Sequence, residues 1–186
     1  MDSANQQSNP YALVVMGVSG CGKSSVAQLL GKALGWAVCE GDAYHPASNI
    51  SKMQTGIALT DEDRQGWLKD LAVLLSQATP QAGMVLTCSA LKRNYRDVLR
   101  SALPQGALGF VFLDLSFEMA LQRVQTRQGH FFSADLVANQ FSTLERPDAE
   151  QGVLTASATL PLSELVQRIT AWRDSPAARI CISQEA

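Results

Sequence analysis

The chain has 186 residues, enough for a complete hydrophobic core, and its 46% apolar and 17% charged residues are those of a folded globular protein rather than a disordered one. Its 15 Lys and Arg against 17 Asp and Glu leave a net charge of -2, with no basic excess to hold a nucleic-acid backbone. No run approaches the roughly 18 apolar residues of a membrane helix and the opening MDSANQQSNP has no apolar stretch, so a cytoplasmic protein with no membrane partner is expected.

Short apolar runs then alternate with longer amphipathic ones, the signature of βαβ units on a parallel sheet. The runs at 11–17, 36–40, 84–88, 110–115 and 153–158 predict five strands. Most are continuously apolar, as strands covered on both faces are. The first runs directly into a turn and a helical pattern. After the second, Thr60 followed by Asp61, Glu62 and Asp63 predicts a capped helix start, and Trp67, Leu71, Leu74 and Leu75 form one apolar face running to about residue 78. Ser89 and Ser116 are candidate caps for helices reaching about residues 103 and 128, and 162–172 supplies a last helix. No linker or repeat divides the chain, so residues 1–186 read as one domain with a polar N-terminal tail (1–10) and a C-terminal tail (175–186) in which 179–183 is either a short added strand or a loose end. Residues 42–60 and 129–148 do not fit the alternation, and excursions of this kind carry binding functions. The cysteines Cys21, Cys39, Cys88 and Cys181 are widely spaced, with only His45 and His130 to join them, so they read as reduced thiols rather than a zinc site.

Gly17, Val18, Ser19, Gly20, Cys21, Gly22, Lys23 and Ser24 fit G-x-x-x-x-G-K-[ST], with a strand before it and a helix after it, SSVAQLLGKAL, whose first residues are Ser24 and Ser25. The glycines let successive amides turn inward, and the helix offers its positive end to a bound phosphate. Lys23 adds a cation, and the Ser24 hydroxyl suits Mg²⁺. The guanine signature N-K-x-D is missing, and Asp63 to Gly66 matches D-x-x-G only inside a polar helix start, which favours an adenine nucleotide. Cys21 sits near a helix N-terminus, where a thiol loses its proton more readily. Inactivation by thiol reagents, blocked by ATP, is the resulting expectation. In an open parallel sheet, ligands collect at the carboxyl ends of the strands. Asp42 therefore falls beside the phosphate loop, placed to accept the proton of an attacking hydroxyl and to hold Mg²⁺ through water. His45, Arg64, Lys92, Arg93 and Arg96 are the nearby donors, with a solvated helix face expected for at least one of the last three.

Five blocks carry a resemblance: GVSGCGKS at 17–24, GDAYHPASNISKM at 41–53, DEDRQGWL at 61–68, CSALKRNYRDVLR at 88–100 and RQGHFFSADLVANQFSTLERP at 127–147. In them the chain resembles the gluconokinases, ATP-dependent sugar-acid kinases related to shikimate and nucleoside monophosphate kinases. The resemblance implies a three-layer α/β phosphate-loop kinase fold, with a five-stranded parallel sheet in order 2-3-1-4-5 and a lid at about 123–147. It implies transfer of the ATP γ-phosphate to the 6-hydroxyl of D-gluconate with Mg²⁺, and leaves a homodimer open. It places Lys23, Asp42 and Arg127 in catalysis. ATP falls to the phosphate loop through Ser25 and to Arg123, Arg127, Leu160 and Pro161, with Arg123 nearer the adenine. Gluconate falls to Asp42, His45, Arg64, Ser89, Lys92, His130 and Gln140, with Arg64 on the carboxylate, which a planar guanidinium suits. Two alternatives stay open, a kinase for another small hydroxy-acid or a nucleoside monophosphate, and a non-catalytic nucleotide-binding module. Retention of Lys23, Ser24 and Asp42 speaks against the module.

Overall fold

The computed structural model describes residues 9–126 and 134–178. Arg127, His130, the middle of the expected lid, the segment 179–183 and the first eight residues lie outside that description. Five strands, β1 (Ala12–Met16), β2 (Ala37–Glu40), β3 (Met84–Cys88), β4 (Leu108–Asp114) and β5 (Val153–Ser157), form one parallel sheet in the order β2-β3-β1-β4-β5, as the resemblance implied. Strand pairing runs in register from Ala12 against Met84 and Leu108, so the carboxyl ends of the strands share one edge.

The helices are α1 (Lys23–Leu34), α2 (Ala47–Gln54), α3 (Asp61–Leu75), α4 (Arg93–Arg100), α5 (Phe117–Thr126), α6 (Ala134–Thr143) and α7 (Leu162–Arg173). Side-chain alternation along the central strands divides the core in two. Leu13, Val15, Val85, Val111 and Leu113 pack with Val26 and Leu30 of α1 and Leu165 and Ile169 of α7. On the opposite face Val14, Met16, Leu86, Phe110 and Phe112 meet Trp67, Leu71 and Leu75 of α3 and Tyr95 and Leu99 of α4. None of the described helices is long and apolar enough to cross a membrane.

Three expectations need correction. Full burial holds for β1, β3 and β4 up to Leu113, whereas β2 and β5 are edge strands and are partly exposed. β4 begins at Leu108 rather than 110, because Gly109 belongs to the strand although it breaks the apolar run. A Cβ at Gly109 would approach Leu13 Cδ2 and the Trp172 ring at 3.0 Å. Ser89 caps nothing: α4 starts four residues later, with Lys92 at its N-cap position. By contrast, Thr60 Oγ1 accepts from the Asp63 amide and Asp63 Oδ2 accepts in turn from Thr60 N-H, a full capping box on α3. Ser116 Oγ accepts from Met119 N-H at the start of α5.

Candidate active site

The carboxyl edge of the sheet opens into a cleft of about 570 Å³. Its floor is the phosphate loop, where Gly17, Gly20 and Gly22 take positive φ values of 138°, 82° and 93°. Ser19, Gly20, Gly22, Lys23, Ser24 and Ser25 line the cleft, while Gly17, Val18 and Cys21 do not. Lys23 Nζ donates to the Gly17 and Val18 carbonyls at 3.0 and 3.1 Å, folded back over its own loop.

The second wall comes from the segment after β2. Gly41 passes so close to β3 that a Cβ there would lie 2.2 Å from Thr87 O, so only glycine fits. Its N-H donates to Thr87 Oγ1 at 3.2 Å and its carbonyl accepts from Trp67 Nε1 at 2.8 Å. These bonds fix the turn that carries Asp42 to the cleft wall. They also fix Glu40, a residue the sequence reading passed over. Glu40 Oε2 accepts from Ser24 Oγ at 3.0 Å and from Thr87 Oγ1 at 2.7 Å, so the carboxylate tied to Ser24 is Glu40 rather than Asp42. Its signal was a carboxylate at the carboxyl end of a strand, two residues before Asp42.

His45 is buried and stacks on Trp67 with ring centroids 4.0 Å apart and 19° between planes. Asn49 Nδ2 lies 3.4 Å from His45 Nδ1 and also donates to Asp63 O at 2.8 Å. An amide donor at Nδ1 makes that nitrogen the acceptor and leaves the proton on Nε2. Burial pushes the imidazole pKa down, outweighing the pull of Asp42, so the neutral ring is the resting form.

Arg64 is 9% exposed and lines the same cleft. Its described hydrogen bond is a long one, from Nη2 to Leu59 O at 3.5 Å, and its guanidinium lies 5.8 Å from the Tyr95 ring centroid. Among the described residues it has no carboxylate partner, although Asp61 and Asp63 are on its own helix. Each of those acids is taken: Asp63 by Lys52 at 2.6 and 2.8 Å, Asp61 by Lys92 at 2.7 and 2.8 Å and by the Tyr95 hydroxyl. A nearly buried cation left without a counter-ion is costly unless an anion comes to it.

Ser89 and Gln140 also line the cleft. Ser89 O accepts from Gly17 N-H at 3.3 Å, tying β3 to the phosphate loop. Gln140 Oε1 accepts from Ser19 N-H at 2.7 Å, which docks α6 on that loop. Arg123 bridges its rear, from Nη1 to Gly20 O at 3.3 Å and from Nη2 to Ala158 O at 3.1 Å, at the end of the cleft where β5 stops.

Other predicted residues are not brought together with these. Lys92 is absent from the lining because Asp61 holds its ammonium. Leu160 packs on the core and Pro161 sits at the N-cap of α7, both outside the cleft. Arg93 is exposed, the solvated face expected for one of its group, whereas Arg96 is wholly buried. Cys21 is 2% exposed, and burial pushes its thiol pKa up against the opposing charge of Lys23. That overturns the expectation of a reactive thiol. Alkylation of the native protein at neutral pH is expected to leave Cys21 unmodified, with or without ATP; a labelled Cys21 peptide in the mass spectrum before unfolding would contradict this.

A family model described as shikimate kinase matches residues 19–147. The chain is 45% identical to a gluconokinase of Gluconobacter oxydans, covering 87% of this chain and 93% of that one. The chain belongs to the gluconokinase family. It is 40% identical to the thermoresistant gluconokinase of Escherichia coli, with 89% and 94% coverage. The crystal structure of a gluconokinase from Sinorhizobium meliloti superposes with a TM-score of 0.80 at 44% identity, over 88% of this chain and 91% of that one. A shikimate kinase of Aquifex aeolicus shares the fold, with a TM-score of 0.58 at 17% identity. As a gluconokinase family member the chain is a kinase, and the cleft has two compartments to match: a phosphate loop on one side, and Asp42, His45 and Arg64 on the other.

Proposed function

We propose that this kinase transfers the γ-phosphoryl group of ATP to the 6-hydroxyl of D-gluconate, giving 6-phospho-D-gluconate and ADP. The carrying observation is Arg64, a cleft-lining cation with no carboxylate partner among the described residues, facing the compartment opposite the phosphate loop. A sugar acid supplies the missing carboxylate at one end and a primary hydroxyl at the other. Neutral His45, with a proton on Nε2, suits a hydroxyl between them.

In this reading Asp42 orients the acceptor hydroxyl and takes its proton as the oxygen bonds to phosphorus and the bond from phosphorus to the ADP oxygen breaks. Lys23 leaves the Gly17 and Val18 carbonyls for the phosphates, and the loop amides hold the phosphate oxygens. Gln140 keeps α6 against the loop, narrowing the path for water that would compete with the sugar. The polar groups also suit Mg²⁺: the Ser24 hydroxyl and Glu40 carboxylate are hard oxygen donors beside the phosphate loop. The described residues hold no cluster of three or more His, Cys, Asp or Glu, and Mg²⁺ seated on phosphates and water needs none. When bound, the ion neutralises charge on the phosphates.

A coupled ADP-release assay across gluconate, shikimate and nucleoside monophosphates tests the reading, and turnover with another acceptor but none with gluconate rejects it. Arg64→Ala is expected to raise the gluconate KM about 10- to 100-fold, the loss of charge-assisted hydrogen bonds, with a much smaller change in the KM for ATP. An unchanged gluconate KM moves the carboxylate site elsewhere.

A further inference from the structure

Arg64 stays available only because something else occupies the acid beside it. Asp61 and Arg64 are three residues apart on α3, a spacing that puts their side chains on one face of a helix, whereas Asp63 at the adjacent position points away. Both acids precede Arg64 in the first turn of α3, where the helix dipole favours negative charge. Asp61 is half exposed and ionised, with hydrogen bonds from Lys92 and Tyr95 holding its carboxyl below the usual range. Asp61 is thus the acid of α3 that shares a face with Arg64, and the Arg64 charge acts on its carboxyl. Instead Lys92 Nζ bonds both of its oxygens, at 2.7 and 2.8 Å, and the Tyr95 hydroxyl donates to Oδ1. The Tyr95 ring neighbours both cations, its centroid 5.8 Å from the Arg64 guanidinium and 5.7 Å from the Lys92 ammonium. Lys92 is fixed at the N-cap of α4, so this clamp reaches across from a second helix.

We propose that Lys92 is a positioning residue for the acceptor site: with Tyr95 it holds Asp61 off Arg64, so that Arg64 meets the substrate carboxylate as an unpaired cation. Lys92 then touches no substrate. It sets gluconate affinity by removing an internal competitor, and the effect runs entirely through Asp61. The inference rests on the reading of Arg64 as the carboxylate site.

The sign of one double variant separates this from direct binding by Lys92. Lys92→Ala frees Asp61 to pair with Arg64 and is expected to raise the gluconate KM about tenfold, with kcat and the KM for ATP little changed. Lys92→Arg, which still reaches Asp61, retains most of the affinity. Adding Asp61→Asn to Lys92→Ala removes the competitor and brings the gluconate KM back to within about threefold of the parent enzyme. In an Arg64→Ala background Lys92→Ala has no further effect on that KM. If the double variant is no better than Lys92→Ala, Lys92 acts through substrate or through general packing, and the inference is wrong. If Arg64→Ala itself leaves the gluconate KM unchanged, the carboxylate reading fails and this inference with it. A raised KM in Arg64→Ala with an unrescued double variant rejects the Lys92 inference alone.

Discussion

Replacing Asp42 by Asn is expected to lower kcat by about 100- to 10,000-fold, the range for losing a positioned general base, while the protein stays folded. The side chain of Asp42 is exposed at the cleft, with no hydrogen bond or ion pair among the described residues that the fold would miss. Its stability change should therefore stay within about 0.5 kcal/mol. Asn fills the same space and still accepts a hydrogen bond from the acceptor hydroxyl, but it cannot take the proton. The loss belongs in kcat, with modest change in either KM. In the proposed reading the metal is held apart from the proton acceptor, because the carboxylate bonded to Ser24 is Glu40. Asp42→Asn should keep the Mg²⁺ concentration dependence of the parent, while Glu40→Gln should shift that dependence upward. A near-normal kcat for Asp42→Asn at saturating ATP and gluconate removes the residue from the role of base.

What the sequence exposed of this site follows from how local each signal is. The phosphate loop is contiguous, with glycines required by backbone geometry, so eight residues declared it. Strand periodicity located the sheet, because buried central strands must be apolar whatever their neighbours. The edge strands misled for the same reason: β2 and β5 are apolar enough to resemble central strands, yet only pairing order decides which strands lie outside. Lys92 and Arg96 illustrate the deeper limit. Both stand in one basic stretch, and nothing local distinguishes a cation that meets substrate from one that meets a carboxylate 31 or 54 residues away. Gln140 falls to gluconate by the resemblance alone, and its bond to the Ser19 amide, which seats it on the phosphate loop, spans 121 residues. Cys21 failed differently. Position near a helix N-terminus argues for a low thiol pKa, but desolvation of a side chain packed into the core outweighs the charges of Lys23 and Arg123 and the backbone hydrogen bonds that oppose it.

Glu150→Gln is expected to destabilise the fold by about 3–5 kcal/mol, the cost of breaking a buried ion pair from one side. Arg96 is completely buried, and its Nε donates to both Glu150 oxygens at 3.1 and 3.0 Å while Nη2 also meets Oε1. Arg100 Nη2 adds a bond to Oε2 at 2.6 Å, so one carboxylate bridges two arginines, the second of which also pairs with Asp97. Gln keeps the shape but leaves Arg96 as an uncompensated charge in the core. By contrast, breaking the exposed helical pair of Arg168 and Glu164 should cost at most about 0.5 kcal/mol, since water already solvates both groups. Urea unfolding of the two variants gives the comparison directly, and equal midpoints would contradict it. Acid adds a second signature. Burial opposes the charge on Glu150, yet the hydrogen bonds and charges of Arg96 and Arg100 win and hold its carboxyl below the usual range. A depressed folded pKa contributes stability that is fully present above the unfolded value of about 4.3 and is lost as pH falls through the folded value. The parent should therefore lose stability below about pH 4.3 more steeply than Glu150→Gln, which has no proton to take up at that position. Replacing both partners by apolar residues should recover only part of the loss. Arg96 also donates to the Ala90, Leu91 and Glu145 carbonyls; Leu91 O keeps its bond from Glu145 N-H, but the buried Ala90 O would lose the Arg96 donor. These contacts join the turn after Ser89 to the chain leaving α6, so the same ion pair that stabilises the fold also holds together two segments that border the cleft.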